Sequence, residues 1–209
     1  MLGIHDYWLF VVMGLMLNLT PGQDTLYILG SSIAAGRRIG VASALGIGTG
    51  SLVHTMFAAL GLSAILATSA TAFMLVKLAG AAYLVYLGIR ALLTRVGAAT
   101  PFDGAPHAAP WLAYRRGILT NVLNPKVALF FLALLPQFIE TDSQTKVADF
   151  IALGLTFVTT GTVWCLTLAL AASRIRGHFE RQPRALVRLS RASGALFILL
   201  GLRLAASER

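Results

Sequence analysis

The sequence predicts an all-α integral membrane protein of six transmembrane helices, arranged as two inverted three-helix repeats. Three observations lead there. Of 209 residues, 57% are hydrophobic and only 12% charged, with a mean hydropathy of +0.77. A soluble domain carries roughly a quarter charged residues, and a chain of this size could not hide so much apolar surface from water. The charges are also separated by long gaps. Asp24 is the only formal charge between Asp6 and Arg37, none falls from Ile39 to Val76, only Lys126 interrupts Gly117 to Ile139, and Phe150 to Ser173 is uncharged. A helix needs about 20 apolar residues to cross the hydrocarbon core. Finally, short motifs recur in the same order in the two halves of the chain.

The predicted spans cover about 7–33, 40–65, 71–93, 113–139, 149–173 and 189–207. The first has no basic leader and runs into Pro21-Gly-Gln-Asp24, so it reads as a retained span rather than a signal peptide. In the second, Gly46 and Gly50 form a small-xxx-small pair suited to close helix packing; a backbone-lined passage is the alternative. Lys77 lies about six residues inside the third span, where it serves either a site or an interfacial anchor. The connection 94–112 is rich in Ala, Gly and Pro and reads as a linker. The fourth span holds Asn121, Asn124, Pro125 and Lys126. The fifth holds a lone cysteine, Cys165, read as a small packing residue with no disulfide partner. In the sixth, only Ala192–Leu202 is charge-free, and Arg188 and Arg191 can snorkel to the interface. The whole chain, 1–209, is thus one transmembrane domain: repeat 1 over about 7–93, the linker, then repeat 2 over about 113–207.

The net charge of +9 does not indicate nucleic acid. The arginines sit in short clusters between apolar runs, at 37–38, 90–95, 115–116 and 174–191, without basic-aromatic interleaving. Lys77, Lys146, Arg203 and Arg209 are sparse on the opposite side, where acidic Glu140, Asp142 and Asp149 cluster in the turn between spans four and five. By the positive-inside rule the basic loops face the cytoplasm and both termini face outward. The segment 174–191 has a second reading, as a site for anionic membrane lipid.

The repeat is visible in matched motifs. Leu19-Thr-Pro21-Gly pairs with Leu123-Asn-Pro125-Lys, Ala44-Leu-Gly46-Ile with Ala152-Leu-Gly154-Leu, and Leu87-Gly88-Ile-Arg90 with Leu200-Gly201-Leu-Arg203. The offset between partners grows only slightly from pair to pair. Three spans being an odd number, the second copy must be inverted, a construction recurrent in secondary transporters that bind cargo where broken helices meet.

Pro21 and Pro125 each fall deep inside a span and remove a backbone donor there. Freed backbone groups survive in lipid only when protein or a polar cavity satisfies them. Gly22 widens the first break, and Asn18, Thr20, Asn121 and Asn124 can serve the freed groups. A packing kink is the plainer reading of one break; two at repeat-related positions point to a site. Asp24 and Lys126 both fall near mid-membrane, where a charge costs at least ~2.5 kcal/mol. They either pair with each other, tying the halves together, or engage cargo and protons. His54 falls at comparable depth and titrates near neutral pH, or serves only as an interhelical contact. Tyr83, Tyr86, Trp111 and Trp164 suit interfacial positions or a cavity wall.

Other chemistry is excluded. There is no phosphate-binding Gly-rich loop, no His-Glu-x-x-His and no Cys/His cluster; the four histidines, at 5, 54, 107 and 178, are scattered. A membrane enzyme, which needs polar groups clustered at one interface whereas the acids here are dispersed, is the lesser alternative, and no cofactor or metal is expected. A channel or a non-transporting scaffold would share the small-residue spans and stands as the alternative to a carrier.

Taken together, Asn18-Leu-Thr-Pro-Gly-Gln-Asp24, Gly36-Arg-Arg-Ile-Gly40, Ala44-Leu-Gly-Ile-Gly-Thr-Gly50, Leu52-Val-His54, Lys77 to Gly88, Asn121-Val-Leu-Asn-Pro-Lys126 and Ser193-Gly194 resemble the LysE/RhtB family of bacterial amino-acid exporters. The resemblance spans nearly the whole chain. It implies six spans in the bacterial inner membrane and secondary active efflux of amino acids or close derivatives, coupled to protons by antiport. It places Pro21, Gly22, Asp24, Asn124, Pro125 and Lys126 on the two signature breaks. Exporters of lysine or arginine tend to carry an aspartate where this chain has Ser51, so the resemblance implies a neutral cargo such as threonine, homoserine or its lactone, or leucine. A homo-oligomer is compatible with the sequence.

Overall fold

In a computed structural model, the described residues are 2–62, 70–93, 109–140, 142–181 and scattered positions within 191–206; side chains at 173–181 and some within 70–93 are not among them. Most of the predicted linker, the stretch 182–190 of the basic segment, and Arg203 therefore lie outside the described residues. What is described is helical, apart from turns and one isolated bridge between Ile4 and Ile139.

The first predicted span is two helices. α1 (Tyr7–Leu19) stops because Pro21 cannot donate to the preceding turn. Gly22 then runs extended, and α2 (Gln23–Ala35) starts. Gly36 ends α2 with φ +86, a left-handed geometry that disfavours any residue with a Cβ. α3 (Arg37–Phe57) follows at once and continues through a π turn, Ala58–Leu62. α4 covers Ala70–Leu92.

α5 (Pro110–Val122) begins on a proline, which fits a first-turn position whose N–H would have no partner anyway. Asn124 then caps α6 (Pro125–Leu129) by accepting from the Lys126 amide at 3.0 Å. The chain continues through a π turn at Phe130–Leu134 and a 3-10 turn at Leu135–Phe138. The predicted fourth span is thus also broken at its proline, with a bend of 47°. α7 (Lys146–Arg181) overruns its predicted end at 173. Its apolar portion is Lys146–Ala172, so the start of the basic segment read as a loop is a helical extension of α7.

Two helices among the described residues are long and apolar enough to cross a membrane, Arg37–Gly61 and Lys146–Ala172, and the bent pair Pro110–Val122 with Pro125–Phe138 makes a third. The chain is a multi-pass membrane protein. α3 packs most extensively on α5 and α7. Glycines allow this: a Cβ on Gly117 would stand 2.6 Å from the Ser43 carbonyl, and one on Gly50 2.7 Å from the Asn121 Cβ. The described residues within 191–206 are helical and meet α4 at Gly88 and Gly201.

Two apolar clusters flank the centre. One joins Phe10, Leu17, Val127, Phe130, Phe131, Phe138, Phe150 and Phe157; the other joins Ile28, Leu29, Ala44, Ile47, Cys165 and Leu168. Beside the first cluster, the segment before α1 zips onto the turn after α6. The His5 amide donates to the Phe138 carbonyl at 3.0 Å, and the Glu140 amide to Gly3 at 2.8 Å. Asp149 is no solvated surface acid. It is fully buried and accepts from the Gly3 amide at 3.1 Å, from the Ser143 hydroxyl at 2.5 Å and from Thr145 at 3.2 Å. The acidic turn inferred from the sequence thus contains one structural anchor.

Candidate functional site

Each proline removes the donor for the carbonyl four residues before it. For Pro21 that carbonyl belongs to Leu17, and for Pro125 to Asn121. The Lys126 ammonium donates to the Leu17 carbonyl and to the Thr20 carbonyl, each at 3.0 Å. At the second break, His54 Nε2 lies 3.1 Å from the Asn121 carbonyl, which also accepts from the Asn124 amide at 2.9 Å. A carbonyl only accepts, so Nε2 carries the proton. Both breaks are therefore satisfied by a basic side chain from another helix. Gly22 makes room at the first: a Cβ there would stand 3.3 Å from Lys126 Nζ.

Asn121 is the centre of the polar network. Its amide donates to Asp24 Oδ2 at 2.8 Å, and its side-chain oxygen accepts from Ser51 at 3.2 Å. Asp24 and Lys126 line one cavity without forming an ion pair. Lys126 is committed to backbone carbonyls, and Asp24 to Asn121. Asp24 Oδ1 is buried without a partner, as are Asn18 Nδ2, Asn124 Nδ2 and Trp164 Nε1.

The cavity lies at the junction of the two apolar clusters, touching Leu17, Val127 and Phe157 on one side and Ile47 and Cys165 on the other. Its polar wall is Asn18, Asp24, Thr25, Ser51, Asn121, Lys126 and Thr162. Its room, about 20 Å³, suits one water and no amino acid.

Of the residues predicted from sequence, Asn18, Asp24, Asn121 and Lys126 line this cavity; Pro21, Gly22, Asn124 and Pro125 form the two breaks. His54 stands behind the wall, buried, stacked on Phe131 at 5.7 Å and joined to the site through Asn121. The side chain of Lys77 lies outside the described residues. Sequence reasoning missed the contribution of α7. Thr162, Trp164 and Cys165 line the cavity; Cys165 also packs in the second apolar cluster, and Trp164 takes the cavity-wall position of its two readings. The signal was present as a run of small and polar residues, Thr159-Thr160-Gly161-Thr162, inside an otherwise apolar helix.

Among the described residues, no group of His, Cys, Asp or Glu could hold a metal ion.

Comparison with known proteins gives relatives of the full length. The chain is 33% identical over 204 residues to a homoserine/homoserine lactone efflux protein of Salmonella typhimurium, covering 97% of this chain and 98% of that one. It is 30% identical over 207 residues to an uncharacterized membrane protein of Vibrio cholerae, covering 98% of each. A leucine efflux protein of Salmonella choleraesuis is 28% identical over 207 residues, covering 97% of this chain and 96% of its own. No solved structure matches significantly. The family model for LysE type translocators matches residues 15–208, and the chain belongs to that family.

Proposed function

We propose that this protein is a secondary active exporter of small neutral amino acids or close derivatives, working from the cytoplasm outward across the bacterial inner membrane. The observation that carries this reading is the cavity where two broken helices meet, holding an unpaired carboxylate oxygen and an ammonium group that do not neutralise each other. A zwitterion presents the complementary charges. Its carboxylate meets Lys126, whose third N–H is not used by the Leu17 and Thr20 carbonyls, and its ammonium meets Asp24 Oδ1. The names of the efflux relatives support amino-acid cargo. The family is one of translocators, so an enzyme is not proposed.

The architecture is read as six spans in two inverted repeats, with basic loops in the cytoplasm. Packing of α4 against the last helix supports it. A Cβ on Gly88 would meet the Gly194 carbonyl and Ile198, and a Cβ on Gly201 would meet the Ala81 carbonyl and Val85. Ala81, Val85 and Gly88 are each the same number of residues from Gly194, Ile198 and Gly201, so one contact repeats with its roles exchanged, as a local two-fold axis requires. The cavity lies between two apolar clusters, which suit the two closures of alternating access. Protonation of Asp24 from the outside weakens its hold on the cargo's ammonium and couples export to the proton gradient.

The test is untargeted metabolite profiling of the medium from cells expressing the protein or Asp24→Asn at matched levels. One or a few neutral amino acids accumulating only with the wild type is the expected result. No change in any amino-acid-like compound overturns the reading. Export by Asp24→Asn at the wild-type rate overturns the proton role, and saturable counterflow in vesicles separates a carrier from a channel.

A further inference from the structure

The export reading accounts for both charged ends of a zwitterion but leaves two donors on the cavity wall without a task, on Asn18 and Trp164. Trp164, on α7, lines the cavity with its indole nitrogen buried and unpartnered, while its ring rests on the apolar cluster containing Ile28, Leu29 and Ile47. A buried donor left unpaired destabilises the protein, so such a group calls for an explanation. Asn18 Nδ2 is also unpartnered, and it lies beside Gly161 of α7, where a Cβ would stand 3.2 Å from it. Asn18 reaches the cavity from α1 and Trp164 from α7.

We propose that Trp164 determines specificity: its indole N–H reads an oxygen on the cargo's side chain, so that the cavity selects small neutral amino acids bearing a hydroxyl or ester carbonyl over aliphatic ones of the same size. The proposal rests on the export reading. An indole nitrogen can only donate, so its match is an acceptor and never a second ammonium or a guanidinium. Thr25 and Thr162 line the same cavity, alongside apolar Leu17, Ile47, Val127 and Phe157, so the wall offers a side chain both polar and apolar contact. A site built around a hydrogen bond rejects the analogue lacking it far more strongly than an apolar pocket rejects an added hydroxyl. The two kinds of efflux relative differ in this chemistry, and Trp164 places this chain with the oxygen-bearing cargo.

The test uses the full chain in proteoliposomes with matched pairs, threonine against valine and homoserine against norvaline. Wild type is expected to exchange the hydroxylated member of each pair at least about tenfold faster. Trp164→Phe keeps an aromatic ring and removes the N–H; it is expected to bring the ratio close to one by slowing threonine far more than valine. Binding is read independently. The chain has three tryptophans, and Trp8 and Trp111 are 77% and 65% exposed. With both changed to Phe, Trp164 fluorescence should shift with threonine and stay unmoved by valine. Equal transport of the pair by the wild type, or an unchanged ratio in Trp164→Phe, overturns the proposal while amino-acid export stands. Failure of the wild type to move any amino acid overturns the export reading and this proposal with it.

Discussion

The Lys126 ammonium sits 3.0 Å from the carbonyl oxygen of Leu17, the acceptor that Pro21 leaves without its helical donor. A lysine from the second half of the chain thus completes the backbone of a helix in the first. The same side chain reaches Thr20 and lines the cavity. Holding the break open and lining the cavity are therefore tasks of one residue.

That relationship predicts coupling between Lys126 and Pro21. Lys126→Met should lower stability by about 1–3 kcal/mol, the cost of leaving buried carbonyls unpaired. In a Pro21→Ala background, whose amide can serve the Leu17 carbonyl, the same change should cost less by at least about 0.5 kcal/mol. Thermal unfolding of the four proteins in detergent checks this, and strictly additive effects would refute it.

Asn121 should be intolerant of a carboxylate. Its amide donates to Asp24 at 2.8 Å, so Asn121→Asp sets two like charges against each other. Export by Asn121→Asp should fall below that of Asn121→Ala at matched expression. The reverse order would show that the amide does not position Asp24.

Glycines of one chain should differ sharply. A Cβ at Gly117 would lie 2.6 Å from the Ser43 backbone carbonyl, whereas at Gly61 nothing lies within 4 Å. Gly117→Val should abolish folded protein on size-exclusion chromatography. Gly61→Ala should be neutral or raise stability by up to about 1 kcal/mol, since alanine favours helix.

Asp149 should act as an anchor. Asp149→Ala strands the Gly3 amide and the hydroxyls of Ser143 and Thr145, costing about 1.5–3 kcal/mol. Hydrogen exchange at His5 and Glu140 should accelerate, because both amides bond across the segment this residue holds. Exchange unchanged from wild type would show that the zipper stands without it.

Much of the site was legible because its residues are anomalous for their setting. Asp24 and Lys126 stand out as charges in apolar runs, and Pro21 and Pro125 as breakers inside helices. Thr162 and Cys165 were not legible as a wall, because each is ordinary in a membrane helix until its neighbours are known, and Trp164 was legible as a wall only as one of two readings. Asp149 was legible only as one of the acids clustered with Glu140 and Asp142, and only the fold shows the Gly3 amide brought to it from the other end of the chain.

The sequence by itself determined the helical membrane class, the positions of the two helix breaks and the residue types gathered at them. Local chemistry governs these properties: apolar runs seek lipid, and proline lacks an amide wherever it is placed. Only the tertiary structure decided who satisfies the freed groups. Lys126 could have paired with Asp24; instead it serves the Leu17 and Thr20 carbonyls, while Asp24 takes the Asn121 amide. The choice depends on which donor reaches which acceptor across packed helices, a distance that no spacing along the chain encodes.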